Sequence, residues 1–116
     1  MVKVLVCGGR YFGDKEAVFR ELDAIRSRHE SMVLIQGGAS GADGIAREWC
    51  QLRKISFITV DADWDRHGRA AGPIRNREML VLEPDLVLAF KGGRGTADMV
   101  RQAEAAGVKI IEAGDR

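Results

Sequence analysis

Five short runs of apolar residues punctuate the chain: KVLVC at 3–7, MVLIQ at 32–36, SFITV at 56–60, DLVLAF at 85–90 and VKIIEA at 108–113. Each is nearly continuous rather than alternating, the pattern of strands buried on both faces of a parallel sheet. The segments between them have helical period. Val18, Leu22, Ile25 and His29 keep i, i+4, i+7, i+11 spacing behind Asp14, a candidate N-cap. Ile45, Ala46, Trp49 and Leu52 make the inward stripe of a second helix. A third helix starts at Gly72-Pro73 and ends before Pro84, and a fourth runs from about 96 to 106, with Gly107 as its C′ residue. Strand followed by helix throughout predicts right-handed crossovers. The expected fold is α/β, a single Rossmann-like three-layer αβα sandwich over residues 1–116 with about five parallel strands. Only residues 61–76, DADWDRHGRAAGPIRN, break the alternation, as a long polar loop of the kind that usually carries function.

Composition narrows the options. With 46% hydrophobic and 30% charged residues and a net charge of +1, the chain reads as an ordinary globular protein. It lacks the basic balance of a duplex binder, so charge and sparse aromatics weigh against nucleic acid as a partner. Cys7 and Cys50 are too few for a disulfide framework and read as reduced thiols. His29 and His67 form no cluster with metal-ligand spacing, so no metal and no cofactor is expected. The N-terminus enters a strand directly and no apolar run reaches membrane-spanning length, which points to the cytoplasm.

The candidate chemistry lies in three double-glycine loops, CGGRYFGD at 7–14, IQGGASGAD at 35–43 and KGGRGTAD at 91–98, following strands one, two and four. Ten of the 14 glycines lie in or beside them (8, 9, 13, 37, 38, 41, 44, 92, 93, 95). Glycine admits positive φ and close approach of a guest, and a helix N-terminus offers free N–H groups, so one such loop is a tight turn but three at one sheet edge predict a phosphate or nucleotide site. Neither a Walker A loop nor a dinucleotide fingerprint is present. The stretch from Arg66 to Arg77 adds Arg66, Arg69, Arg75 and Arg77, suited to phosphate or to surface ion pairs. Arg75 sits in a predicted first helical turn, where only an anion would offset its repulsion from the dipole.

These loops, with GPIRNREM at 72–79, resemble the SLOG superfamily, and within it the YspA/YpsA-related family with its GGR-x-x-x-D, GGA-x-GAD-x-x-A, GP-x-RN-x-x-M and GG-x-GTA-x-x-V motifs. The resemblance covers essentially the whole chain. More distantly the chain resembles the lonely-guy phosphoribohydrolases and DNA-processing protein A. It implies a nucleotide or nucleotide-derived ligand, bound by a sensor or carrier. Gly8, Gly9, Arg10, Asp14, Gly37, Gly38, Ala39, Ser40, Gly41, Asp43, Trp64, Arg69, Arg75, Asn76, Gly92, Gly93, Arg94, Gly95 and Thr96 are the candidate ligand-binding residues. An N-glycosidic hydrolase is the enzymatic alternative, with Arg75, Asp98 and Asp43 as candidate catalytic groups. Met99 stands where the lonely-guy enzymes keep their glutamate, which removes the carboxylate that chemistry needs. A single-strand nucleic-acid module is the third reading. Asp14 and Asp43 either cap helices or meet ribose hydroxyls, and Asp98 serves the dipole of the last helix. Trp64 either stacks on a base or packs over the sheet edge; Tyr11 and Phe12 either wall a base or bury themselves. Trp49 is assigned to the core and Cys7 to an apolar spacer. Since lonely-guy relatives dimerise, the resemblance also implies a homo-oligomer.

Overall fold

The computed structural model describes residues 1–113. Strands β1 (Val2–Cys7), β2 (Met32–Gln36), β3 (Ser56–Thr59), β4 (Leu86–Ala89) and β5 (Lys109–Glu112) alternate with helices α1 (Lys15–Ser27), α2 (Ala42–Arg53), α4 (Ala71–Val81) and α5 (Arg94–Ala105). A one-turn helix α3 (Trp64–His67) and a 3-10 turn (Gly68–Ala70) precede α4. All strand pairs are parallel, in the order β3-β2-β1-β4-β5. The expected Rossmann-like sandwich is the observed one.

Period-two alternation distributes the core between two layers. Val2, Val4 and Val6 of β1 pack with Val18 and Leu22 of α1 and Ala46 and Trp49 of α2. Leu5 and Cys7 point the other way, to Met79 of α4 and Met99 and Ala103 of α5. Covering both faces is what makes the central strands continuously apolar. The edge strands are less covered: Phe57 and Ile58 of β3 are exposed. Among the described residues, no helix is long and apolar enough to cross a membrane.

Several sequence expectations shift. Residues 61–76 are not one loop, because Asp63 caps α3 through Arg66 N–H and α4 begins at Ala71. Arg75 is therefore in the second turn of α4, beyond the strongest reach of the dipole, and the repulsion argument no longer applies to it. On α2 the buried arc is Ala42, Ala46, Trp49 and Cys50, leaving Leu52 exposed on its flank in the final turn. His29 lies past the end of α1 and is exposed. Trp49 is core as expected, its indole N–H donating to Asp23 of α1 at 2.9 Å. Gly107 has φ +75° after α5, as a C′ glycine requires.

Candidate functional site

From β1 the chain moves outward through β2 to β3, then crosses back to β4 and β5. The loops after β1 and β4 consequently leave toward opposite faces and open a crevice between them. A cleft of about 780 Å³ lies there, of a size that suits a small-molecule ligand. It is lined by residues 8–14 after β1, 91–96 after β4, Ala39 and Asp43 from the second glycine loop, Trp64, and the α4 stripe Gly72, Arg75, Asn76 and Met79. That stripe keeps i, i+3, i+4, i+7 spacing, so one helix face is committed to the cleft. Among the candidate residues, Gly37, Gly38, Ser40, Gly41, Arg69 and Asp98 do not line it.

The three glycine loops prove to be different devices. In the β2 loop the missing side chains make room for the protein itself. A Cβ on Gly37 would strike the Arg75 guanidinium, one on Gly38 (φ +76°) the Asp61 carboxylate, and one on Gly41 (φ +72°) the backbone of Gly9 and Arg10. The loop's donors are also engaged. Asp43 Oδ2 accepts from Gly37 N (3.2 Å) and Ala39 N (3.3 Å), and Gln36 Oε1 accepts from Gly38 N (2.6 Å). A carboxylate thus stands where the sequence suggested a phosphate, and Asp43 braces the loop rather than capping α2. Ser40 Oγ donates to Arg10 O at 3.2 Å, tying this loop to the first. Gln36 and Arg47 complete the brace, Arg47 Nη1 donating to Gln36 Oε1 and Ala39 O. Sequence reasoning passed over both, although a polar Gln36 closing the MVLI run was the available signal.

The β1 loop is internally committed at its start, although Gly13 at its far end borders open space. Gly8 packs on Ala42 and Phe90, and Gly9 N donates to Lys91 O at 2.9 Å. Asp14 Oδ1 accepts from Ala17 N at 3.0 Å, so α1 carries its own capping carboxylate. Phe12 packs against Phe90 with ring centroids 5.2 Å apart, while Tyr11 is exposed.

The β4 loop is open where its helix begins. Gly92 is held tightly against Thr96 and Gly9, but where a Cβ would stand on Gly93 or Gly95 there is no atom within 4 Å. The first turn of α5 contains no acidic residue and its N-cap makes no side-chain bond. Among the described residues, the N–H groups of Gly93, Arg94, Gly95 and Thr96 meet no protein acceptor. Four free donors and a positive dipole end therefore face the cleft.

A chain of hydrogen bonds positions this end of α5. Arg75 Nη1 donates to Gly37 O (2.6 Å) and its Nε to Asn76 Oδ1 (3.1 Å). Asn76 Nδ2 donates to Gly95 O (3.2 Å) and Asp98 Oδ2 (3.0 Å). Asp98 also accepts from Gln102 Nε2 at 2.8 Å. It holds α4 against α5 from outside the cleft and is not a first-turn dipole partner. Met99 is fully buried in the core between α5 and the sheet.

Asp43 is the one deeply buried acid in the cleft wall. Burial pushes its pKa up to about 6, against the opposing N–H bonds of Ala39 and Gly37 and the charges of Arg75 and Arg47. Its Oδ1 takes no bond from the described residues, yet no buried polar atom is left unpartnered, so Oδ1 reaches the open cleft. Cys7 beside it is no nucleophile: burial first, then the charges of Asp43 and Glu112, push its thiol up to about 12.

Comparison with known proteins agrees with this architecture. The model of the YspA, cpYpsA-related SLOG family matches residues 2–67. The Gene 61 protein of Mycobacterium phage D29 is 39% identical over 124 residues, spanning 100% of this chain and 99% of the phage protein. The X-ray structure of TM1055 superposes with TM-score 0.74 at 19% identity, over 95% of this chain and 72% of that one. DNA processing protein A from Helicobacter pylori, described in its single-stranded DNA binding mode, gives 0.77 at 18% identity, over 99% of this chain and 66% of that one. DNA processing protein A from Streptococcus pneumoniae gives 0.63 at 16%, over 96% and 58%. The expectation that nucleic acid is an unlikely partner, drawn from charge and sparse aromatics, is corrected by this finding, because the same fold serves a single-strand binder. Net charge averages over a surface, whereas binding is decided by the local field of a cleft. The family motif over the first two glycine loops, carried by the fold just described, establishes that this chain belongs to the YspA, cpYpsA-related SLOG family.

Proposed function

We propose that the protein binds a nucleotide or nucleotide-derived ligand in this cleft, with a phosphate at the N-terminus of α5. The observation that carries the reading is the contrast among the loops. In the first two glycine loops Gly8, Gly37, Gly38 and Gly41 are packed against the protein itself, and a carboxylate accepts from the loop or from the helix that follows it. Gly93 and Gly95, by contrast, border open space, and four consecutive N–H groups, 93 to 96, take no acceptor among the described residues. An anion at Gly93–Thr96 would meet unpaired N–H groups and a helix dipole at once. Arg75, pinned by two of its donors, lines the same cleft with Nη2 taking no acceptor among the described residues. Asp43 Oδ1 offers an acceptor for a ribose hydroxyl, the role an acid has in many dinucleotide sites.

The test is a thermal-shift screen of nucleoside monophosphates, ADP-ribose, NAD and cyclic nucleotides against wild type and Gly93→Asp. That variant puts a carboxylate at the open donors without entering the core. A ligand at about 100 times its Kd should stabilise the wild type by about 2.7 kcal/mol and leave Gly93→Asp unshifted. Identical melting of the wild type with and without every nucleotide would refute the reading. Free base released in the same mixtures would indicate the hydrolase instead. A second reading, in which the phosphate belongs to a single DNA strand, draws on the fold shared with the Helicobacter pylori protein and on the exposed Tyr11 and Trp64 in the cleft wall. Stabilisation by oligothymidylate but by no mononucleotide would favour it.

A further inference from the structure

Trp64 is an anomaly of the cleft. It is 55% exposed, yet the chain holds it in place with care. Asp63 accepts from Arg66 N–H at the start of α3, and Gly68, at φ +55°, closes the helix by donating to Trp64 O. The tip of the indole, Cη2, lies over Gly72, 3.4 Å from where a Cβ would stand. A ring held in place with half of its surface open on a cleft is a ready stacking face for a planar guest.

The α4 stripe relates this ring to the phosphate position. Asn76 is bonded to Gly95 O at the N-terminus of α5, and Gly72 lies four residues earlier on the same helix face. Four residues of helix advance about 6 Å. The residue that holds Gly95 and the residue beneath the ring are thus about one sugar's width apart along α4, and Arg75 lines the same cleft.

Resting on the nucleotide reading above, we propose that Trp64 is the base subsite of this cleft and recognises the base by stacking alone. The ligand class is then a 5′-phosphorylated nucleoside: phosphate at Gly93–Thr96, sugar beside Arg75 and Asn76, base against the indole. Gly72 adds no side chain beside the ring, and stacking reads the face of a base rather than its edge, so the site tolerates all four bases. Purines, with the larger stacking face, bind more tightly than pyrimidines.

The experiment titrates adenosine, guanosine, cytidine and uridine 5′-monophosphates and ribose 5-phosphate against wild type, Trp64→Ala and Trp64→Phe. Affinity is read by calorimetry and indole fluorescence. Trp49 is sealed in the core on the opposite face of the sheet, so quenching on binding reports Trp64. Trp64→Ala should weaken the nucleotides by about ten- to a hundred-fold, bringing them down to the affinity of ribose 5-phosphate, which itself is unchanged. Trp64→Phe should recover most of the loss. Nucleotide affinity unaltered in Trp64→Ala would overturn the stacking assignment while leaving the nucleotide site standing. Binding of neither nucleotides nor ribose 5-phosphate to the wild type would overturn both.

Discussion

Alanine at Gly41 is expected to destabilise the protein by about 3 kcal/mol or more, the largest effect of any single methyl group added to the glycine loops. Two costs combine. Gly41 has φ +72° and ψ −130°, a region that L-residues enter only under strain. Its Cβ would also overlap the carbonyl of Gly9 and the backbone of Arg10, which have no rotamer through which to yield. The same contact is made from the other side by Ala42 N, which donates to Gly9 O at 3.2 Å. Forcing the loops apart would therefore break the bond that joins the β1 loop to α2. Urea unfolding of Gly41→Ala beside Gly93→Ala separates internal glycines from open ones. Gly93→Ala, with nothing to strike, should stay within about 0.5 kcal/mol of wild type. A Gly41→Ala loss below about 1 kcal/mol would mean the two loops are not interlocked as described.

Asp43→Asn should make the fold more stable near neutral pH, and the gain should vanish in acid. The folded-state pKa of Asp43 is raised by burial to about 6 from an ordinary value of 3.8. Folding thus favours the protonated acid: its contribution is fully present below the unfolded pKa and is lost as pH rises through about 6. At about 1.4 kcal/mol per unit, the swing across pH 4–8 reaches about 3 kcal/mol. Asparagine keeps the brace, because a single oxygen, Oδ2, accepts both Gly37 and Ala39 N–H groups and an amide oxygen can do the same. Chemical denaturation of both proteins at several pH values gives the comparison. A variant less stable than wild type at every pH would show that the ionised carboxylate is well solvated by its partners. If instead the stable variant also binds nucleotide more weakly, the buried charge is being kept for ligand contact at a cost in stability.

The sequence by itself determined the α/β class, the five parallel strands and the sheet edge at which the cleft lies. Continuous apolar runs such as MVLIQ can be satisfied only between two helical layers, and a glycine-rich turn after each of three strands places the site at their carboxyl ends. The cap at Asp14, the C′ role of Gly107 and the core place of Trp49 were equally legible, since each depends on its own helix. The distinction among the glycine loops was not. Gly37 and Gly93 look alike in sequence, but one lies under Arg75, 38 residues away, and the other faces open space. Asp43 and Asp14 both follow a glycine loop, yet Asp14 caps the helix ahead of it while Asp43, buried against the sheet, turns back to brace its own loop. Asp98 read as a site residue, yet it lies off the cleft and holds α5 through Asn76, which does line the cleft. These outcomes are settled by which helix packs on which, so only the tertiary structure decided them: a local pattern can specify that a Cβ must be absent, but not whether the room it leaves goes to the protein or to a guest.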